Sequence, residues 1–90
     1  MRTLKNSILI VEDEESIIDI LTYSLRKEGF NVHTATNGER ALEKFQGLEI
    51  HLFILDIMLP DTTGFELCKQ LTAISNIPIL MLTARNDIVD

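Results

Sequence analysis

The sequence has little cysteine, little positive charge and no long apolar run, and each shortage excludes a class of protein. The single cysteine, Cys68, excludes an internal disulfide and is typical of a reducing compartment. The net charge of −6 argues against nucleic-acid binding or attachment to an anionic membrane surface. No run approaches the ~18 apolar residues of a membrane span, and 8–11 is too short for a signal peptide. We therefore expect a soluble, cytoplasmic protein.

The chain is long enough for one domain at most. Its 90 residues are 46% hydrophobic and 24% charged, a composition typical of a globular protein rather than a disordered one. The sequence contains no repeat, low-complexity tract or linker. We therefore expect a single folding unit over residues 1–90.

Four segments have the character of β-strands. Three are continuous apolar runs, at 8–11, 52–55 and 79–82, and such runs predict strands covered on both faces, as in a parallel sheet. The fourth segment, 30–36, alternates more between apolar and polar residues and predicts an edge strand.

Helical patterns separate these strands. Apolar residues at helical spacing predict one helix over 15–28 and another over about 64–73, and Asn37-Gly38 opens a shorter one between them. The order β-α-β-α-β-α-β, with connections of this length, predicts an α/β fold built on a doubly wound parallel sheet.

Residues with side-chain oxygens follow three of the four predicted strands. Glu12 and Asp13 come directly after the first strand, Asp56 after the third and Thr83 after the fourth. Ligands of doubly wound sheets bind beyond the carboxyl ends of the strands. We therefore expect these four side chains to meet at one edge of the sheet and to form a pocket.

Carboxylates gathered in this way predict a cation. Two such charges ~4 Å apart repel by roughly 4 kcal/mol at an effective dielectric constant of 20. Oxygen ligands with room for water are typical of Mg²⁺, whereas zinc would require histidine or cysteine at this edge. His51 is predicted to lie at the far end of its strand, about 16 Å from Asp56 at ~3.3 Å per residue.

Structural interpretations of several acids stay open. Asp13 could simply cap the first helix, and Glu14 and Glu15 could only stabilise the positive end of that helix.

In the turn after Pro60, Asp61 and Thr62 are predicted to shape the chain and to do nothing more. Asp56 ends a strand rather than lying in the turn, and this position favours a functional role.

Three motifs, "ILIVEDE", "FILDIMLPDTTG" and "ILMLTA", resemble the leading motifs of response-regulator receiver domains, in the same order. The resemblance covers essentially the whole chain. It implies a flavodoxin-like (βα)₅ sandwich with strand order 2-1-3-4-5, of which the last helix, strand and helix have no counterpart in these residues. Residues 1–90 are therefore expected to be the N-terminal portion of a receiver domain.

The resemblance also implies the chemistry and the metal ligands. Asp56 matches the residue that accepts a phosphoryl group from a phosphohistidine of a sensor histidine kinase. Glu12 and Asp13 match the acidic pair that binds Mg²⁺ together with Asp56, and Met58 matches the position whose main-chain carbonyl completes the metal site. We expect Mn²⁺ to substitute for Mg²⁺.

Two further positions match family residues around the phosphoryl group. Thr83 matches the hydroxyl that contacts this group and acts as a switch. Ala84 matches the small residue whose backbone N–H also faces the phosphate. The segment "DIMLPDTTGFELC" is similar to the corresponding segment of regulators that carry a winged-helix DNA-binding output domain. No residue of such a domain is present here.

The sequence is therefore compatible with two functions. The first is a phosphoacceptor signalling module that catalyses its own phosphorylation with Mg²⁺. The second is a non-signalling fragment that self-associates through an exposed fourth strand and an open sheet face. A metal-dependent hydrolase is a more distant third, because the sequence offers neither a general base nor a substrate pocket.

Overall fold

A computed structural model describes residues 5–82, and the order of its elements confirms the predicted one. The predicted limits differ from the observed ones by at most one residue. None of the helices described is long and apolar enough to cross a membrane. The elements are β1 (Ser7–Val11), α1 (Glu15–Lys27), β2 (Asn31–Ala35), α2 (Gly38–Gly47), β3 (Leu52–Asp56), α3 (Gly64–Thr72) and β4 (Ile79–Leu82).

The four strands form one parallel sheet in the order β2-β1-β3-β4. The second strand therefore lies at an edge, as the alternation in its sequence predicted. From β1 the chain moves outward in one direction to β2, and it then returns to build β3 and β4 on the other side. The strand order thus reverses between β1 and β3, and a crevice opens at their carboxyl ends in sheets of this kind.

Both faces of the sheet are covered by helices, which explains why the central strands are continuously apolar. Alternate residues of a strand face opposite sides. On one face, Ile10 of β1 belongs to the apolar cluster against which Leu25 of α1 packs. Val11 packs on the other face in the cluster that holds Ala41 of α2 and Leu71 of α3. All five residues of β1 are buried, so this strand forms the centre of the core.

Candidate metal centre

Three carboxylates meet at the crevice between β1 and β3. Glu12, Asp13 and Asp56 each place one carboxylate oxygen within 4.8 Å of the others. The register explains the meeting, because Val11 pairs with Leu55. Glu12 and Asp13 come directly after Val11, and Asp56 comes directly after Leu55 as the last residue of β3. The sequence predicted these three side chains at one edge of the sheet, and the structure brings them together.

Glu12 forms the buried floor of this carboxylate cluster, with an exposed fraction of 1%. Its main chain is held by the hydrogen bond from its N–H to the carbonyl of Ala35, 3.0 Å long. One carboxylate oxygen, Oε2, accepts from the N–H of Glu14 at 3.0 Å. The other, Oε1, is buried and has no hydrogen-bond partner among the described residues.

Burial raises the pKa of Glu12 above its ordinary value of 4.5, because an ionised carboxylate loses solvation inside the protein. The N–H of Glu14 opposes this shift, and the nearby charges of Asp56 and Asp13 reinforce it. The ionised Glu12 is therefore held at an energetic cost, which a cation beside it would offset.

Asp13 is exposed and Asp56 is half-buried, so the cluster opens from the buried Glu12 toward solvent. Asp13 is not the N-cap residue of α1. That position belongs to Glu14, whose side chain makes no capping hydrogen bond. The alternative that Asp13 caps the first helix is therefore wrong, and its carboxylate lies in the cluster instead.

The residues present fit a magnesium ion. All of the side chains offered are carboxylates, the hard oxygen ligands that Mg²⁺ takes in small number while keeping several waters. The unpartnered Oε1 of Glu12 is a buried acceptor that lacks a donor among residues 5–82. Buried polar groups without a partner are uncommon, and a bound cation would satisfy this one.

Met58 lies in the loop 57–63, which follows β3. Met58 forms an isolated antiparallel bridge with Thr63, and the N–H of Gly64 donates to the carbonyl of Ile57 at 2.7 Å. The main chain at Met58 is therefore held by pairing within the loop. Its side chain is 62% exposed.

The loop ends in a close contact with the strand that it leaves. A Cβ atom on Gly64 would lie 2.2 Å from the carbonyl oxygen of Asp56, which is far inside van der Waals contact. Glycine therefore allows the first residue of α3 to lie against the main chain of Asp56.

Thr83 and Ala84, the two predicted phosphoryl contacts, lie outside the described residues, and their roles stay predictions. Leu82, the last residue that the structure describes, pairs with Asp56 in the sheet.

Sequence reasoning missed the role of Asp61. Its Oδ1 accepts from the N–H of Gly38 at 2.8 Å, and its Oδ2 accepts from the N–H of Glu39 at 2.9 Å. The prediction that Asp61 only shapes its turn is wrong, because its carboxylate also caps α2. These two hydrogen bonds lower the pKa of Asp61 below its ordinary value of 3.8. The sequence shows an acid in a turn, and it shows Asn37-Gly38 at the start of a helix. No local sequence pattern indicates that the two are in contact.

Comparison with known proteins gives relatives of one kind. The sensory transduction protein RegX3 of Mycobacterium tuberculosis is 48% identical over 84 residues, which are 93% of this chain and 37% of RegX3. The alkaline phosphatase synthesis transcriptional regulatory protein PhoP of Bacillus subtilis is 46% identical over 88 residues, which are 97% of this chain and 37% of PhoP. The chain thus spans a little over a third of these relatives.

Solved structures of the response regulator TrrA of Thermotoga maritima share the fold. TrrA in complex with Mg²⁺ and BeF is 38% identical, with a TM-score of 0.83 over 90% of this chain and 71% of that one. The complex of histidine kinase ThkA with TrrA matches at 36% identity and a TM-score of 0.85, over 94% of this chain and 74% of the matched chain. The family model described as response regulator receiver domain matches residues 8–90. The chain therefore belongs to the response regulator receiver domain family, as its three motifs predicted.

Proposed function

We propose that this chain is a phosphoacceptor module of a two-component system in which Asp56 takes a phosphoryl group from a phosphohistidine of a sensor histidine kinase. The observation that carries the proposal is the meeting of Glu12, Asp13 and Asp56 within 4.8 Å at the point where the strand order reverses. Family membership supports it, and so does the similarity to TrrA, which has been solved both with Mg²⁺–BeF and with a histidine kinase.

In the proposed reaction, a carboxylate oxygen of Asp56 attacks the phosphorus of the donor. An O–P bond forms while the P–N bond to the imidazole breaks, and the imidazole nitrogen keeps the electron pair. The product is an acyl phosphate on Asp56. Such a transfer depends mainly on in-line positioning and charge stabilisation rather than on acid–base groups. Asp56 suits this role because it is half-buried and ends a strand whose main chain is held in the sheet.

Glu12, Asp13, Asp56 and the main-chain carbonyl of Met58 are the proposed ligands of Mg²⁺. When bound, the ion neutralises charge on the acceptor and on the incoming phosphoryl group. Glu12 contributes a buried acceptor, whereas Asp13 and Asp56 face the open side of the cluster. Mn²⁺ is expected to substitute, since carboxylate, carbonyl and water ligands suit both ions.

Thr83 and Ala84 are proposed to contact the transferred group, through the hydroxyl of Thr83 and the backbone N–H of Ala84. Movement of the Thr83 hydroxyl toward the new phosphoryl oxygens would then bias the segment after β4, which is how a small charge change becomes a signal. This proposal rests on the motif "ILMLTA" alone.

The partner proposed for the chain is a sensor histidine kinase, and a cytoplasmic location is proposed with it. PhoP is a transcriptional regulatory protein, and this chain matches 37% of its length. We propose a role in transcription regulation for this chain only as part of a longer protein. The alternative of a non-signalling fragment receives no support from the relatives, which are signalling and regulatory proteins.

Phosphorylation with a small donor tests the proposal. Acetyl phosphate with Mg²⁺ should add one phosphoryl group to the protein, as measured by intact-mass spectrometry, and removing Mg²⁺ with a chelator should prevent the addition. Asp56→Asn should abolish the label, because an amide oxygen is a far weaker nucleophile than a carboxylate oxygen. Asp19→Asn, an exposed acid on α1, is the control and should leave labelling unchanged. Labelling that persists undiminished in Asp56→Asn would refute the proposal.

A further inference from the structure

We propose that Asp61 is a positioning residue of the metal site, which fastens the loop 57–63 to α2 and thereby holds the main chain at Met58 in place. The inference rests on the proposed function, because it takes the Met58 carbonyl as a metal ligand. Asp61 itself belongs to the tip of the loop and not to the carboxylate cluster.

The start of α2 is capped from two places in the chain. Its N-terminal N–H groups have no partners within the helix, as at the start of any helix. Asn37 accepts from the N–H of Arg40 at 2.8 Å, which is the local capping bond expected from the sequence. The N–H groups of Gly38 and Glu39 both donate to Asp61, which lies more than twenty residues further along the chain. Two of these three capping bonds thus come from the loop after β3.

Hydrogen bonds within the loop connect Asp61 stiffly to Met58. The N–H of Leu59 donates to the carbonyl of Thr62 at 3.0 Å, and Met58 bridges to Thr63. These bonds fold the loop back on itself, so that its tip at Asp61 and its base at Met58 form one hydrogen-bonded unit. A force that holds the tip therefore also holds the base.

The loop and the start of α2 are in tight contact. A Cβ atom on Gly38 would lie 2.6 Å from Cγ2 of Thr62 and 3.4 Å from Oδ1 of Asp61. Glycine at the first position of α2 lets the loop approach this closely. The two hydrogen bonds from one carboxylate fix both the distance and the orientation of the loop tip against the helix.

A simple capping role makes a different prediction from a positioning role. If Asp61 only caps α2, its removal lowers the stability of the fold and leaves the metal affinity of the folded protein unchanged. If it positions the loop, its removal also weakens metal binding in protein that is fully folded. Asn37→Ala separates the two roles, because it removes a side-chain cap from the same helix end without touching the loop.

Mg²⁺ titration followed by two-dimensional NMR measures the affinity and verifies in the same spectra that each variant is folded. Asp61→Ala should weaken Mg²⁺ binding about tenfold, at the low end of the effect of residues that orient metal ligands. Asp61→Asn, which keeps one acceptor oxygen, should weaken it less, and it provides the comparison if Asp61→Ala does not fold. Asn37→Ala should bind Mg²⁺ like the wild type. Glu39→Gln, which removes one negative charge at the same helix end, should also stay close to the wild type.

Each other outcome has a defined meaning. Unchanged Mg²⁺ affinity in both Asp61 variants would overturn the inference and leave the proposed function intact. An equal loss in Asn37→Ala would assign the effect to α2 stability, and an equal loss in Glu39→Gln would assign it to net charge; either result overturns the positioning role. Wild-type protein that binds no Mg²⁺ and is not labelled at Asp56 would refute the proposed function, and this inference with it.

Discussion

At the residue scale, the burial of the Glu12 carboxylate favours a bound cation. Burying a carboxylate costs free energy unless its oxygens gain partners, and one oxygen of Glu12 has none among the described residues. Asp13 and Asp56 add like charges within a few ångströms. The folded protein is therefore least stable when no cation neutralises these charges. We expect metal binding to increase its stability.

Mg²⁺ should accordingly raise the thermal stability of the protein, since a ligand that binds only the folded state stabilises it by mass action, about 2.7 kcal/mol at a concentration one hundred times the Kd. Asp13→Asn should remove most of this response. It should also stabilise the metal-free protein slightly, because it relieves repulsion within the cluster. Thermal unfolding with and without Mg²⁺ measures both effects.

Glu15→Gln is the matched control for Asp13→Asn, because it removes a charge from the first turn of α1 just outside the cluster. It should keep the full response to Mg²⁺. Equal metal-induced shifts in the wild type and Asp13→Asn would contradict the assignment of Asp13 as a ligand.

The capping bonds of Asp61 should make its contribution to stability depend on pH. Its pKa is lowered in the folded protein from the ordinary value of 3.8, so the folded state favours the ionised form. The contribution of the charged cap is therefore present in full above pH 3.8, and it is lost as the pH falls below this value through the folded pKa.

Urea unfolding across this range tests the expectation. The stability difference between wild type and Asp61→Asn should be largest above pH 3.8 and should shrink in more acidic solution. Asn37→Ala removes a cap that does not titrate, so its effect should stay nearly constant over the same range. A difference for Asp61→Asn that does not change with pH would argue against the ionised cap.

At the scale of the elements, glycines at the starts of α2 and α3 determine how closely these helices pack against neighbouring segments. Gly64 begins α3 against the carbonyl of Asp56, and Gly38 begins α2 against the side chain of Thr62. Gly47 lies at the end of α2, where an added Cβ would meet nothing within 4 Å. These three positions therefore separate the effect of close packing from that of intrinsic helix propensity.

Gly64→Ala should destabilise the protein by roughly 1–3 kcal/mol or more, because the clash is with backbone that cannot rotate away. Gly38→Ala should cost less, since Thr62 can turn its methyl group aside. Gly47→Ala should stabilise by up to ~1 kcal/mol, the usual effect of replacing an unconstrained glycine in a helix. Urea unfolding of the three variants measures the order. A Gly64→Ala variant as stable as Gly47→Ala would contradict the packing argument.

At the end of the sheet away from the carboxylate cluster, hydrogen bonds join the starts of β1 and β3. The N–H of Ser7 donates to Nδ1 of His51 at 2.8 Å, and the N–H of His51 donates to the carbonyl of Ser7 at 2.8 Å. His51 thus fastens the start of β3 to the start of β1, at the edge of the sheet away from the carboxylates.

At the scale of the whole molecule, the two outer strands differ in how their edges are treated. The outward carbonyl groups of Val32 and Thr34 on β2 accept hydrogen bonds from Arg26 and Lys44. Charged side chains at an edge discourage pairing with another chain. β4 is the other outer strand within residues 5–82, and on it the apolar residue Leu80 is 55% exposed.

Self-association of the 90-residue chain through β4 therefore stays a prediction. Light scattering should show species larger than the 10.2 kDa monomer at micromolar concentration. Leu80→Lys should shift them toward the monomer, because it places a charge on the exposed strand. Ile20→Lys, which places the same charge on an exposed apolar position of α1, should not. A cooperatively folded monomer at that concentration would contradict the prediction.

The sequence by itself determined the order of the elements, the sheet class and the acids of the site. Continuous apolar runs identify buried strands because both faces of such strands are covered, and this property is local. Glu12, Asp13 and Asp56 could be grouped from the sequence because each follows a strand of a parallel sheet, whose carboxyl ends share one edge.

Only the tertiary structure decided which distant residues touch. The bonds from Asp61 to α2 and the bond between Ser7 and His51 join positions 22 to 44 residues apart. The unpartnered oxygen of Glu12 likewise depends on everything packed around it. The physical reason is that a hydrogen bond needs its two atoms within about 3 Å, and no local periodicity encodes a distance across the fold.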